Sequence, residues 1–424
     1  MPHYSYLIVG GGMAADAAVA GIREIDAKNP IGVVSVEAHK PYKRPPLTKG
    51  LWKGEPLDSI WYKSDKPGVD FHLGRQVESV DPDLKRVVDD HGEIYTYDKL
   101  LLATGGTPRR LGHGVSDDNV IYFRGLDDYQ RLRAQADAGQ RFAVVGGGFI
   151  GSELAAALTM NGKQVIMAFM EDGIADRVLP KDSALFLNSY YGEHGVTVLP
   201  NSAVVAIERQ GKMIALHTAN AKTGEKRVDE VDAVVAGLGV TANTDLAKNA
   251  GLTVEDGVVV DKFLRTSRPD IYAAGDIALF YNPALGQRLR VEHENNARAM
   301  GKAAGKAMAR HLAGAEAEPY DYLPFFYSDL FDVGYEAIGL VDSRLQTVSY
   351  WQKPHEKGIV YYLRDGRVRG ALMWNVWKYV DTARKLIAEP GPLGPEDLAQ
   401  RVPWAPAPPA APAGLDQPGG THGA

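Results

Sequence analysis

Two glycine-rich turns constrain what this chain folds into more than any other feature of its 424 residues. The two motifs are Gly10-x-Gly12-x-x-Ala15 and Gly146-x-Gly148-x-x-Gly151. Each follows an apolar, β-branched run (residues 6–9 and 142–145) and opens an alanine-rich stretch that is typical of a helix. A glycine motif between a strand and a helix indicates a dinucleotide-binding unit. The sequence therefore predicts two such units in one chain.

The residue types in these motifs suit the phosphates of a dinucleotide. The first glycine permits the tight turn, the second lets the backbone approach the pyrophosphate, and the third position keeps helix and strand close. Free N–H groups at the start of the helix then face the negative charge. Glu37 falls about 20 residues past the first motif, where a carboxylate can hold a ribose hydroxyl. Two such units can hold a flavin and a nicotinamide dinucleotide against each other.

Charge and hydropathy argue against several classes of partner. The net charge is −6 without a block of like charges, so neither nucleic acid nor an anionic membrane is expected as the main partner. No apolar run reaches the roughly 18 residues that span a bilayer. The first strand begins too early for a secretory signal. We therefore expect a cytoplasmic protein.

The chain contains no cysteine. Disulfide exchange, cysteine-ligated iron–sulfur clusters and sulfenic-acid chemistry are therefore unavailable to it. Covalent attachment of a flavin through cysteine is excluded for the same reason. Any redox chemistry has to belong to bound organic cofactors, and no metal site is predicted.

The pattern of predicted elements changes along the chain. A strand predicted at residues 231–236 ends in Gly237-Leu238-Gly239, and a long alanine-rich helix is predicted at residues 294–312. Alternating strands follow at residues 348–352, 359–363 and 368–374, with a closing helix at 380–387. Residues 403–424 are rich in proline, alanine and glycine, so they are expected to be disordered.

Longer motifs carry a family resemblance. They are RPPLTKGLW (residues 44–52), ATGG (103–106), GGGFIGSE (146–153), AAGD (273–276), RVEHENNA (290–297) and SDLFDVGYEAIGLVDS (328–343). The chain resembles the two-dinucleotide-fold flavoprotein reductases, a superfamily that includes the pyridine nucleotide-disulfide and ferredoxin reductases. Within this superfamily it resembles the apoptosis-inducing-factor flavoproteins.

The resemblance implies an α/β fold with two Rossmann-like, glutathione-reductase-like dinucleotide-binding domains and a C-terminal α+β domain. The FAD-binding domain would comprise residues 1–124 and 243–318, the NADH-binding domain residues 125–242, and the C-terminal domain residues 319–402. The implied FAD contacts are Gly10, Gly12, Ala15, Glu37, Arg44, Lys49, Ala103, Thr104, Gly105, Asp276, Glu292, His293 and Tyr327. The implied NADH contacts are Gly146, Gly148, Phe149, Ile150, Gly151, Glu153, Glu171, Gly237 and Gly239.

Four of these residues are implied to act at the reactive centre. Lys49 and Glu153 would form an ion pair beside the flavin, and His293 would position the flavin ring without transferring a proton. Phe149 would cover the flavin until nicotinamide displaces it, with ordinary packing as the alternative. Tyr327 stands where the apoptosis-inducing factors carry tryptophan.

Glu171 would take the ribose hydroxyls of NADH, because Phe169 occupies the usual position of that acid. No arginine pair follows directly to hold the 2′-phosphate of NADPH, although Arg177 is near enough to keep NADPH open. We therefore expect NADH to be preferred over NADPH.

The expected function is that of an FAD-dependent NADH oxidoreductase whose reduced flavin forms a long-lived charge-transfer complex with NAD+. A ferredoxin or rubredoxin reductase and an NADH-responsive sensor or scaffold remain alternatives, and the chain is expected to be a monomer or a dimer. Cations that suit an acidic iron–sulfur protein are Lys40, Lys43, Arg109, Arg110, Arg288, Arg290, Arg367 and Arg369. Residues 352–358 directly bridge the place of the acidic insertion found in apoptosis-inducing factors, so regulation through that insertion is not expected.

Overall fold

The first unit of the fold is a mainly parallel sheet. The computed structural model describes residues 1–63, 66–112, 115 and 118–405. The first elements are β1 (His3–Val9), α1 (Met13–Ile25), β2 (Ile31–Ser35), β3 (Val69–Leu73), β4 (Val77–Asp81), β5 (Arg86–Asp89), β6 (Ile94–Leu102) and β7 (Gly106–Pro108). The strand order is β3-β2-β1-β6-β5-β4, with β1, β2, β3 and β6 parallel. The first glycine motif thus lies between a central strand and α1.

The second unit repeats this plan with a parallel sheet of order β11-β10-β9-β15-β8. Its elements and the return to the first unit are β8 (Val120–Tyr122), α2 (Leu126–Ala138), β9 (Arg141–Val145), α3 (Phe149–Met160), β10 (Gln164–Ala168), α4 (Lys181–Glu193), β11 (Thr197–Leu199), β12 (Ser202–Gln210), β13 (Met213–Asn220), β14 (Lys226–Val231), β15 (Ala233–Ala236), β16 (Val240–Ala242) and α5 (Asp245–Asn249). Because β8 pairs with β15, this sheet begins before residue 125, the predicted start of the NADH-binding domain.

The strand predicted at residues 231–236 is two strands. β14 ends at Val231 in an antiparallel sheet of order β12-β13-β14, and β15 begins at Ala233 in the parallel sheet. The carboxylate of Asp232 accepts the N–H groups of Gln140 and Arg141 at 2.7 Å each. β14 therefore ends just before Asp232 and β15 begins just after it, while the Asp232 side chain is bonded to the backbone at the start of β9. The chain passes from one sheet to the other at this residue.

The chain then returns to the first unit through a ribbon in which β16 pairs with β7. The elements that follow are β17 (Val258–Val259), β18 (Ile271–Ala273), β19 (Ala278–Asn282), β20 (Gln287–Leu289) and α6 (Glu294–Leu312). β18 pairs in parallel with β6 and so completes the first sheet. The first unit is therefore built from two separate stretches of sequence.

Glycine brings α6 and α1 into unusually close contact. A Cβ atom on Gly301 would lie 2.2 Å from the carbonyl oxygen of Ala14, and one on Gly305 would lie 2.2 Å from that of Ala18. Because real Cβ atoms never approach that closely, only glycine allows this helix crossing at these two positions. Gly275 lies beside the start of α1, since a Cβ on it would be 3.2 Å from the Cβ of Ala14.

The C-terminal unit is an antiparallel sheet of order β21-β22-β25-β24-β23 with a helix packed on it. Its elements are β21 (Phe325–Leu330), β22 (Val333–Gly339), β23 (Gln346–Lys353), β24 (Lys357–Arg364), β25 (Arg367–Trp374), α7 (Val380–Ala388) and α8 (Pro395–Ala399). The predicted disordered tail, residues 403–424, lies outside the described residues from position 406 onward. Tyr362 anchors this sheet to the second unit by donating to the Val178 carbonyl at 2.8 Å.

Candidate functional site

A cavity of about 820 Å³ opens where the first sheet meets the start of α1. It is lined by eight of the predicted FAD contacts, namely Gly10, Gly12, Glu37, Arg44, Ala103, Thr104, Gly105 and Asp276. Ala15 lies beneath it, fully buried in α1. The cavity therefore gathers residues from widely separated segments of the sequence.

The first glycine motif has the geometry of a phosphate cradle. Gly10 has φ +120°, and a Cβ there would lie 2.1 Å from the carbonyl oxygen of Ala103. A Cβ on Gly12 would instead meet nothing within 4 Å, because that position faces open space. The N–H groups of the first turn of a helix have no partner within the helix. The backbone here thus fits the pyrophosphate of a dinucleotide.

Two carboxylates in this cavity are held by arginines. Glu37 forms an ion pair with Arg44 and accepts a hydrogen bond from the Tyr42 hydroxyl at 2.6 Å. Asp276 accepts from Nη2 of Arg124 at 2.7 Å. No role was predicted for Tyr42 or Arg124: Tyr42 lies just before the segment at residues 44–52, and no pattern marks Arg124.

The predicted pair of Lys49 and Glu153 is present, with Nζ and Oε1 2.6 Å apart. Glu153 is 4% exposed and accepts two further hydrogen bonds, from Oγ1 of Thr48 at 2.6 Å and from Oγ of Ser328 at 2.7 Å. The Lys49 ammonium also lies 5.3 Å from the centre of the Tyr327 ring. Glu153 on α3 thereby joins the loop of the first unit to β21 of the C-terminal unit.

Three aromatic rings form a second cluster nearby. His293 stacks on Phe326 with ring centres 4.2 Å apart, and Phe149 meets Phe326 edge-on at 5.1 Å. Burial lowers the pKa of His293 to about 4, and only the nearby charge of Asp276 opposes this shift. His293 is therefore neutral at pH 7. Phe326 was missed, because aromatic residues in a strand are ordinarily core residues.

A second cavity, of about 540 Å³, lies beside this aromatic cluster. Its lining includes Phe149, His293 and Glu292, together with residues of the C-terminal unit. Glu292 is ion-paired to Arg290. Glu292 therefore borders this cavity and is absent from the lining of the larger one.

The second glycine motif is packed as tightly as the first. Gly146 has φ +114°, and a Cβ on it would lie 2.5 Å from the carbonyl oxygen of Gly237. A Cβ on Gly151 would lie 1.9 Å from the carbonyl oxygen of Gly146, whereas one on Gly148 would face open space. As in the first motif, the outer position is packed against backbone and the middle glycine faces open space, where a phosphate can bind. Ile150 packs against Gly237, and Gly239 follows with φ +81°.

Glu171 lies just beyond β10, on the same edge as this motif. Its Oε1 accepts from Nη2 of Arg177 at 3.0 Å. Phe169 is 2% exposed and packs directly under Gly147, so the usual acid position is part of the core. The backbone N–H of Ser343 donates to the Arg177 carbonyl at 3.1 Å, which ties this loop to the C-terminal unit.

Two further observations limit the chemistry. Within the described ranges, no group of three or more histidine, aspartate or glutamate side chains is placed to hold a metal ion. The helices of that same part of the chain include none with the length and apolar character needed to cross a membrane.

Comparisons with known proteins identify the class. Residues 4–301 match the family model of the pyridine nucleotide-disulphide oxidoreductases. Residues 304–356 and 352–389 match the model of the C-terminal domain of mitochondrion-associated apoptosis-inducing factor. The chain belongs to the pyridine nucleotide-disulphide oxidoreductase family and is of the apoptosis-inducing-factor type. This confirms the predicted family and fold class.

Individual relatives agree with this assignment. The chain is 35% identical to apoptosis-inducing factor 1, mitochondrial, of Dictyostelium discoideum, over 94% of this chain and 80% of that protein. It is 34% identical to the 5,5′-dehydrodivanillate O-demethylase ferredoxin reductase subunit of a Sphingobium strain, over 87% and 89%. Among solved structures, the putidaredoxin reductase–putidaredoxin complex superposes with a TM-score of 0.84 at 26% identity, over 93% of this chain and 95% of that one.

The protein is therefore an FAD-dependent NAD(P)H oxidoreductase. The open space at Gly12, the first-turn N–H groups of α1 and the arginine-held carboxylates of the larger cavity all fit FAD. The disulphide chemistry in the family name does not apply, because the chain has no cysteine.

Proposed function

We propose that the protein oxidises NADH through bound FAD and releases the electrons slowly, in the manner of an apoptosis-inducing factor. The Lys49–Glu153 pair is the observation that supports this most, because it fixes a cation at α3, where the second glycine motif would deliver nicotinamide. When bound, FAD would accept a hydride from NADH, and we expect its reduced form to persist in a charge-transfer complex with NAD+.

The protein's own residues would orient and shield this reaction. Glu153 and the ring of Tyr327 hold the Lys49 ammonium in one place. A charge fixed in advance stabilises developing negative charge without reorganising. Phe149, braced by Phe326, would exclude water until the nicotinamide displaces it.

We also propose that NADH is preferred over NADPH. The Glu171 carboxylate would accept the ribose hydroxyls of NADH and repel a 2′-phosphate. Its ion pair with Arg177 offsets part of that repulsion, so the preference should be modest. Measuring kcat/KM for both nucleotides tests this, and Glu171→Gln should reduce the ratio. If Glu171→Gln leaves this ratio unchanged, Glu171 does not determine the preference for NADH.

Anaerobic titration with NADH tests the proposed reaction. The absorbance of oxidised flavin should disappear and a long-wavelength charge-transfer band should appear. Lys49→Ala should slow this reduction about 10- to 100-fold, which corresponds to about 1.4–2.7 kcal/mol of transition-state stabilisation lost with one preorganised charge. Lys53, an exposed lysine four residues further along the same loop, provides the control, and Lys53→Ala should reduce at the normal rate. If Lys49→Ala instead loses FAD but reduces normally at saturating FAD, Lys49 is only structural.

A ferredoxin reductase is the second candidate, and the similarity to the ferredoxin reductase subunit from Sphingobium favours it. At least four of the predicted docking cations are engaged within the protein: Lys43 and Arg288 donate to the carbonyls of Ser59 and Val260. Arg369 is buried and donates to the Leu285 carbonyl, and Arg290 is ion-paired to Glu292. Steady-state assays with a [2Fe–2S] ferredoxin, ferricyanide, a quinone and oxygen distinguish the candidates. Fast turnover with the ferredoxin alone would favour this second function.

A further inference from the structure

The second cavity has an aromatic floor and a cationic rim. Phe149, Phe326 and His293 form the floor: the rings of His293 and Phe326 lie nearly parallel, with 15° between their planes, and the ring of Phe149 stands edge-on to both. Such a surface favours a flat aromatic ring. Because Phe149 is also the residue expected to meet nicotinamide, this cavity reaches the predicted reactive centre.

Three arginines stand on the rim, and two of them are neutralised. Arg290 is ion-paired to Glu292, and Arg344 to Asp342, with Nη2 and Oδ2 2.6 Å apart. Arg364 instead donates to the neutral side-chain amide oxygen of Gln287 at 3.3 Å. The rim thus carries three guanidinium groups and two carboxylates, which leaves one positive charge in surplus; Arg364 shares Asp342 with Arg344, since the charges of both arginines lower the pKa of that carboxyl.

Two further arginines lie near Arg364. It pairs across the β24–β25 hairpin with Arg367. Burial, and then the charges of Arg367 and Arg364, lower the pKa of Arg369. A cluster of guanidinium groups that repel one another is stabilised by an entering anion, and a carboxylate or sulfonate can bind a guanidinium through two parallel hydrogen bonds.

We propose that this cavity binds a planar organic anion, with its ring on Phe149, Phe326 and His293 and its acid group at Arg364. A quinone of this class would serve as electron acceptor. NADH and one solvent proton together supply the two electrons and two protons that convert the quinone to its hydroquinone. The acceptor role rests on the proposed function, whereas binding of the anion does not.

Binding is tested first with a molecule that cannot be reduced. Calorimetry on the FAD-loaded protein should show binding of naphthalene-2-sulfonate. Arg364→Gln should weaken it about fivefold, because a solvent-accessible charge pair contributes about 1 kcal/mol. Binding of the neutral 2-naphthol should change less than twofold. Arg268→Gln removes a cation that pairs with Asp83 outside the cavity lining, so this control should leave both affinities unchanged.

Three results would overturn the proposal: no binding of the sulfonate, equal weakening of sulfonate and naphthol, or equal effects of Arg364→Gln and Arg268→Gln. Turnover then tests the acceptor role. Arg364→Gln should raise KM for 1,2-naphthoquinone-4-sulfonate about fivefold and leave KM for the uncharged 2-methyl-1,4-naphthoquinone unchanged. If NADH fails to bleach the flavin, the proposed function fails, and calorimetry still decides whether the anion site exists.

Discussion

Removing the Ser328 hydroxyl measures how strongly Glu153 holds the C-terminal unit to the reactive centre. Ser328 is fully buried on β21, and its hydroxyl donates to the Glu153 carboxylate at 2.7 Å. Ser328→Ala deletes a single oxygen, so lost packing contributes little. The carboxylate keeps Lys49 and Thr48 as partners but loses its link to β21.

The expected cost follows from the charge on the acceptor. A hydrogen bond to an ionised group contributes about 1.5–3 kcal/mol to stability, and one between neutral groups about 1 kcal/mol. Ser328→Ala should therefore reduce the free energy of unfolding by about 2 kcal/mol in the natural protein. In a Glu153→Gln background the same change should cost about 1 kcal/mol, which leaves a coupling of about 1 kcal/mol between the two residues.

Urea unfolding of the FAD-loaded protein, followed by tryptophan fluorescence, gives all four corners of this cycle. Ser349 lies exposed on β23, so Ser349→Ala is the matched control and should stay within about 0.5 kcal/mol of the natural protein. Equal costs of Ser328→Ala in both backgrounds would refute the reasoning, since the hydroxyl would then not act through the carboxylate.

The remaining predictions concern packing and pH. Gly301→Ala should destabilise the protein by about 1–3 kcal/mol, because its Cβ would meet the Ala14 carbonyl oxygen at 2.2 Å. Gly192→Ala, in α4 with nothing within 4 Å of the new atom, should stabilise it by up to about 1 kcal/mol, and equal effects in urea unfolding would contradict the close crossing. His293 has a pKa of about 4 when folded and about 6.5 when unfolded, so the unfolded chain takes up the proton first. The resulting loss in the free energy of unfolding is negligible well above pH 6.5 and grows to about 3 kcal/mol as the pH falls to 4. His293→Asn should therefore lose less stability than the natural protein between pH 7 and pH 4.5, and parallel losses would show that His293 is not protected from protonation.

The regular parts of the fold could be predicted because their signals are local. The helix predicted at residues 294–312 is α6 with the same bounds, since its alanine-rich pattern is continuous. The prediction of one strand at residues 231–236 was wrong, because the chain passes from the antiparallel sheet to the parallel sheet at Asp232. The side chain of Asp232 accepts backbone N–H groups at the start of β9. The sheet β12-β13-β14 was missed as well: β14 is largely polar, and β12 and β13 mix apolar and polar residues, so only their pairing with each other reveals the sheet.

The reactive centre could be predicted only in part. Lys49 and Glu153 were matched through the family resemblance, since nothing in their spacing brings them together. Thr48 and Ser328 were missed, because a single hydroxyl makes no pattern in a sequence. The three-dimensional crossing of α3, the Thr48 loop and β21 is what turns these ordinary residues into partners of one carboxylate.

That shared carboxylate determines how the molecule can be dissected. The second unit and the C-terminal unit share one continuous apolar cluster, which also includes Leu47 and Trp52 of the first unit's loop, so a fragment excised at a unit boundary would expose part of that core. Nor would any single fragment retain the lysine, the acid and the serine together. Fragments cut between the units should therefore be unstable on their own and separate the acid from its partners, and colour and turnover should return only when all of the parts are combined.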